Sequence, residues 1–121
     1  MSSTILVVED DDMLRWLMLE ALMTLNETLI LECNSADAAW LMLEHSPGVN
    51  LVITDIRMPG KIDGWELAKR CWDKWPAMPI IITSGHLRVT AGELPVGSSF
   101  MAKPWTLDHL YEMVDHHLPA A

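Results

Sequence analysis

Asp55 closes an apolar run, Leu51-Val52-Ile53-Thr54-Asp55, and a pair of acids, Glu9 and Asp10, closes the earlier run Ile5-Leu6-Val7-Val8. A carboxylate can serve as a nucleophile or as a hard ligand for a cation. In an open parallel sheet, ligands bind in the crevice beyond the carboxyl ends of the strands. Acids at the ends of two such strands therefore converge on one small negative pocket, whose natural occupant is a divalent cation. Two more runs bring other groups to the same edge. Ile80-Ile81-Ile82 leads to the hydroxyls of Thr83 and Ser84, and Ser98 to Ala102 leads to the ammonium of Lys103.

The elements that would position these groups alternate short β-branched runs with longer amphipathic stretches, the pattern of βαβ crossovers and a parallel sheet covered on both faces. Strands are expected at about 4–8, 28–32, 51–55, 80–83 and 98–102. A first helix is expected over 13–25, with Leu14, Leu17, Met18, Ala21, Leu22 and Leu25 as its buried face and Asp12 as its N-cap. Ser35 would cap a second helix running to His45, a third would run from Gly64 to Trp75, and Thr106 would cap a last one that buries Leu107, Leu110, Met113, Val114 and Leu118. Residues 86–97, with two glycines and a proline, predict either a short irregular segment or a two-turn helix over 88–94.

The 121 residues, half of them apolar, suit one domain with its own core. No repeat or long linker divides them. Seventeen Asp and Glu against eight Lys and Arg leave a net charge of −9, which repels nucleic-acid phosphates and anionic membranes. No apolar stretch approaches the roughly 20 residues needed to span a bilayer, and Met1-Ser2-Ser3-Thr4 does not begin a secretory signal. Cys33 and Cys71 lack CxxC spacing, read as buried thiols, and fit a reducing cytoplasm. His109, His116 and His117 on the last helix have no Cys or carboxylate support for a metal site and read as surface residues.

In order along the chain, Glu9-Asp10, Asp55-Ile56-Arg57-Met58-Pro59-Gly60, Asp63-Gly64, Thr83-Ser84-Gly85 and Lys103-Pro104 resemble the motifs of response-regulator receiver domains over essentially the whole length. The resemblance implies a doubly wound, flavodoxin-like α/β fold with five strands in the order 2-1-3-4-5. It implies a role in two-component phosphorelay signalling, in which Asp55 accepts a phosphoryl group from a histidine kinase or histidine phosphotransfer protein. Mg²⁺ or Mn²⁺ would be held by Glu9, Asp10, Asp55 and the backbone carbonyl of Arg57. Thr83, Ser84 and Lys103 would surround the phosphoryl group, and Phe100, which read by itself is an ordinary core aromatic, would swing inward with Thr83. The surface of the fourth connecting segment, fifth strand and last helix would then change, engaging a downstream protein or a second copy of the chain. Trp105 stands beside that face and could touch a partner.

The loop from Asp55 to Gly64 is one residue longer than the commonest receiver spacing, similar to receivers attached to hybrid kinases, and is expected to bulge without moving the acceptor. Arg57 would pair with Glu9 or cover the phosphoryl group and so tune dephosphorylation. The chain is expected to be a receiver without an output domain, either a stand-alone regulator or a piece of a hybrid kinase. Among rivals, an aspartyl-phosphate hydrolase of the haloacid-dehalogenase type needs a second Asp two residues after the first, where this chain has Arg57. A nucleotide- or flavin-binding module needs a glycine-rich loop where residues 9–12 are all acidic. A degenerate receiver that binds partners without phosphorylation is the remaining alternative.

Overall fold

The computed structural model describes residues 3–46, 48–85, 94 and 97–118. Along the chain run β1 (Ser3–Val8), α1 (Asp12–Leu22), β2 (Thr28–Cys33), α2 (Ala36–His45), β3 (Leu51–Asp55), α3 (Gly64–Lys74), β4 (Ile80–Ser84), β5 (Ser98–Ala102) and α4 (Leu107–His117). All five strands are parallel, in the order β2-β1-β3-β4-β5. The segment 86–97, expected to be either irregular or a two-turn helix over 88–94, lies mostly outside the described residues, and four helices are described around the sheet.

Alternation along the strands divides the core in two. Leu6, Val8, Val52, Ile80 and Ile82 face α2 and α3, whereas Ile5, Val7, Leu51, Ile53 and Ile81 face α1 and α4. β3 and β4 are buried at every position, which accounts for their unbroken apolar sequences. Free thiols Cys33 and Cys71 are buried in the α2/α3 layer, and burial pushes the Cys71 thiol up to about 12.

Each helix opens on a side chain that accepts a hydrogen bond from the amide three residues later, satisfying one of the free N–H groups of the first turn. These caps are Asp11 to Leu14 N (3.0 Å), Ser35 to Ala38 N (3.1 Å), Asp63 to Glu66 N (2.9 Å) and Thr106 to His109 N (3.1 Å). The cap of α1 is thus Asp11 and not Asp12. Asp12 is helical and pairs with Arg15 at 2.8 Å. α1 also stops short of Leu25, and its buried face is narrower than its apolar stripe: Met18, Ala21 and Leu22 enter the core while Leu17 is 43% exposed. On α4 likewise Leu110 and Val114 are buried but Leu107 is 54% exposed. The surplus apolar residues of both helices meet across a surface groove lined by Leu14, Leu17, Pro104, Trp105 and Leu107, with Lys103 at its edge.

The edge strand β5 is tied to both layers. Trp72 Nε1 of α3 donates to Ser98 Oγ at 2.8 Å, and Ser99 Oγ meets His117 Nε2 of α4 at the same distance. His117 is therefore half-buried and bonded, unlike the surface residue its sequence context suggests, while His116 and His109 are exposed.

Candidate functional site

Pairing of β1 with β3 aligns Val8 with Thr54, so the next residues along, Glu9 and Asp55, emerge side by side. The register of β3 with β4 sets Asp55 opposite Thr83, and that of β4 with β5 sets Ser84 opposite Ala102. Lys103 N donates to Ser84 O at 3.0 Å, continuing the ladder one step and delivering the lysine to the same edge. The crevice lies where the chain order reverses between β1 and β3, the switch point at which such sheets bind ligands.

Carboxylate oxygens of Glu9, Asp10 and Asp55 lie within 4.8 Å of one another. Asp10 is exposed, whereas Glu9 and Asp55 are buried. Lys103 Nζ bridges the two buried acids, donating to Glu9 Oε1 and Asp55 Oδ2 at 2.9 Å each. Burial pushes the Glu9 carboxyl up, opposed by the hydrogen bonds from Lys103 and from Asp11 N–H. Burial also works against the Lys103 ammonium, but its bonds and attraction to Asp55 and Glu9 together outweigh that and hold its pKa above the ordinary lysine value. Three carboxylates against one ammonium leave the cluster formally negative. An all-oxygen donor set of this spacing, with one acid open to solvent, fits a hard divalent cation.

Thr83 and Ser84 are buried at the end of β4. Phe100 is half-buried and packs against the α2/α3 layer. Arg57 follows β3 with its side chain exposed, lining a shallow depression of about 340 Å³ with Met58, Pro59 and Asp63. The pairing of Arg57 with Glu9 is not made: the Glu9 oxygens are taken by Lys103 and Asp11 N–H. The Lys103–Pro104 peptide is cis.

Gly64 explains how the loop after β3 returns so closely. Its N–H donates to Ile56 O at 2.8 Å, and a Cβ on it would overlap the carbonyl oxygen of Asp55. Two other residues at the site belong to no motif. Arg15 of α1 donates from Nη1 to the Glu9 carbonyl at 3.0 Å and from Nε to Glu32 at 2.9 Å, fastening the acidic turn to the end of β2. Its place three residues after Asp12, on the same helix face, is the one sequence signal that points to it. Asp37 of α2 accepts from Lys61 N (3.0 Å) and Ile62 N (3.3 Å) across 24 and 25 positions, and no local pattern announces it.

The family model of the response regulator receiver domain matches residues 5–115, a span that holds every residue of this cluster. The chain belongs to that family. As a receiver domain it is 35% identical to the hydrogenase transcriptional regulatory protein HoxA of Cupriavidus necator over 93% of its own length, but spans only 23% of that protein. With a chemotaxis protein CheY homologue of Campylobacter jejuni it shares 32% identity, covering 92% of the receiver and 88% of the relative. The crystal structure of a response regulator receiver protein from Sinorhizobium medicae superposes with a TM-score of 0.84 at 32% identity, covering 98% of this chain and 96% of that one. Receiver domains are signalling modules of two-component systems, and the flavodoxin-like strand order is that of the family. Among the described residues no helix is long and apolar enough to cross a membrane.

Proposed function

We propose that this receiver takes a phosphoryl group onto Asp55 from a phosphohistidine on a histidine kinase or a histidine phosphotransfer protein, in the cytoplasm. The observation that carries the reading is Lys103 Nζ at 2.9 Å from both Asp55 and Glu9, beside the exposed Asp10. Glu9, Asp10, Asp55 and the Arg57 carbonyl would hold Mg²⁺ or Mn²⁺. Bound there, the ion would offset the charge that builds on the phosphoryl oxygens during in-line transfer.

The remaining work falls to side chains. An Asp55 carboxylate oxygen attacks phosphorus as the P–N bond breaks, its electron pair staying on the imidazole, and an acyl phosphate results. Lys103 orients Asp55, then exchanges one carboxylate partner for a phosphoryl oxygen, since its three donors can be redistributed. The Thr83 hydroxyl donates to a second oxygen, and Ser84, being small, leaves room for it. The exposed Arg57 side chain can order or exclude the water that later hydrolyses the acyl phosphate, which tunes the lifetime. The domain assists its own phosphorylation and dephosphorylation and turns over no other substrate.

Phosphorylation adds nearly two negative charges, enough to create one to three charge-assisted hydrogen bonds and shift a two-state equilibrium. Thr83 and Phe100 would carry that change to the surface of the 86–97 segment, β5 and α4, where a downstream protein or a second copy of the chain would bind. For the phosphodonor, exposed Leu17 and Leu107 line the groove that reaches Lys103, and Met13 and Trp16, both more than half exposed, add apolar surface on the same helix as Leu17.

Intact mass after incubation with acetyl phosphate and Mg²⁺ tests the reading. One phosphoryl adduct is expected, abolished by chelator and by Asp55→Asn. A folded, Mg²⁺-binding protein that gains no adduct from acetyl phosphate or from a phosphorylated histidine donor would instead be a phosphorylation-independent interaction module.

A further inference from the structure

The loop that leaves Asp55 is pinned at both ends. Ile56 N donates to Thr83 O at 3.1 Å, Gly64 N donates to Ile56 O, and Ile56, Met58 and Ile62 send their side chains into the α2/α3 core. Between Met58 and Ile62 the chain must bulge through Pro59, Gly60 and Lys61, all exposed. The bulge closes around one carboxylate. Asp37 Oδ2 accepts from Lys61 N, Oδ1 accepts from Ile62 N, and Gly60, at φ 128°, passes so near that a Cβ would strike Asp37 Oδ2. Two consecutive amides converging on a carboxylate form an anion-binding concavity whose anion is supplied by α2. The same negative charge sits in the first turn of α2, where the helix dipole favours it.

We infer that Asp37 is a positioning residue for phosphoryl transfer: it clasps the longer loop against α2, which keeps residues 59–61 clear of the acceptor and fixes the Arg57 carbonyl beside the acid cluster. This rests on the reading of Asp55 as acceptor. Without the clasp the bulge has backbone amides and a glycine free to move, and the Arg57 carbonyl is left steadied only by the buried Ile56 and Met58 on either side of it. Asp37 holds the loop of a metal-site oxygen and does not bond that oxygen itself, so its loss costs less than the roughly 10–100-fold typical of a direct outer partner. A loss of about threefold to tenfold in Mg²⁺ affinity is expected, with a matching loss in the rate of labelling by acetyl phosphate.

The experiment is a mutant cycle between Asp37→Ala and deletion of Lys61, which shortens the loop by one residue and removes one of the two amide donors to Asp37. In the full-length loop Asp37→Ala should lower Mg²⁺ affinity, read by tryptophan fluorescence, and should abolish hydrogen-exchange protection of the Lys61 and Ile62 amides in the metal-free protein. Asp37→Asn, which keeps one acceptor oxygen, should restore most of both. In the shortened loop Asp37→Ala should cost clearly less, because the shorter of the two amide hydrogen bonds is gone and only the Ile62 N–H is left to clasp. Unchanged Mg²⁺ affinity and labelling in Asp37→Ala, or equal losses with and without Lys61, would overturn the inference. If the deletion does not fold, the Asp37→Asn comparison decides alone: no recovery over Asp37→Ala overturns it. Should the wild type take no phosphoryl group at all, the acceptor reading fails, while Mg²⁺ affinity and amide protection still judge the clasp.

Discussion

Lys103 and Asp55, 48 residues apart in the chain, meet through one hydrogen bond of 2.9 Å between Nζ and Oδ2. The same ammonium also holds Glu9, so a single cation neutralises part of a buried acid pair. Lys103→Met leaves those two carboxylates facing each other and should destabilise the metal-free protein by roughly 1–3 kcal/mol. Added Mg²⁺ should narrow the gap, since the dication replaces the missing charge and binds the folded state. Thermal unfolding with and without Mg²⁺ checks this; a gap indifferent to Mg²⁺ would refute it. The folded pKa of Lys103 is raised, so its contribution is fully present below the ordinary value of 10.5 and is lost as pH rises through the folded value. Above that pH the two proteins should converge.

Gly64→Ala should impair the site without removing any functional group. The new methyl would overlap the Asp55 carbonyl oxygen and touch Thr54 Oγ1 at 2.9 Å, so the end of β3 or the start of α3 must shift. Overpacking of this kind costs about 1–3 kcal/mol. A lower midpoint in urea and slower labelling by acetyl phosphate are expected together, and wild-type values of both would contradict the close approach.

Trp16→Ala separates donor docking from chemistry. Trp16 is 55% exposed, so its loss should change stability by no more than about 0.5 kcal/mol. Labelling by acetyl phosphate should be unchanged. Transfer from a phosphorylated kinase or phosphotransfer protein should slow by about tenfold, the effect of one aromatic anchor at an interface. Equal rates from the protein donor would remove α1 from the docking face.

His117 should make the protein acid-sensitive in a defined window. Burial, and then the neighbouring His116, hold its pKa below the ordinary 6.5. The unfolded chain therefore binds a proton that the folded one resists, so the stability His117 confers is present above 6.5 and lost as pH falls through the lower, folded value. Melting temperatures of wild type and His117→Gln measured from pH 7.5 to 5 should diverge, the wild type falling faster. Parallel curves would mean that the bond to Ser99 does not require the neutral ring.

Much of this architecture is legible in the chain because single elements impose strong local patterns. Ile80-Ile81-Ile82 has the unbroken β-branched pattern of a strand buried on both faces, and Ser35 and Thr106 stand three residues ahead of the amides they cap. The choice between Asp11 and Asp12 is harder, since either carboxylate could cap α1 and the decision falls to Arg15, which claims Asp12. Leu17 and Leu107 read as core because periodicity reports which face is apolar and not how much of that face finds a partner. Glu9, Asp10, Asp55, Thr83 and Lys103 are visible because each ends a strand run. Asp37 is not, because its partners are backbone amides on a distant loop, and backbone groups leave no mark in side-chain sequence.

β5 has one more consequence. Its Ser98 is hydrogen-bonded to α3 on one side of the sheet and its Ser99 to α4 on the other, while Lys103 continues directly from its end. The strand is in effect a drawbar coupled to two carriages: a pull of an ångström at the Lys103 end would load the Trp72 and His117 couplings together. A change made at the mouth of the site would then be broadcast to opposite sides of the molecule at once, and two partners that never touch the same surface could read the same event.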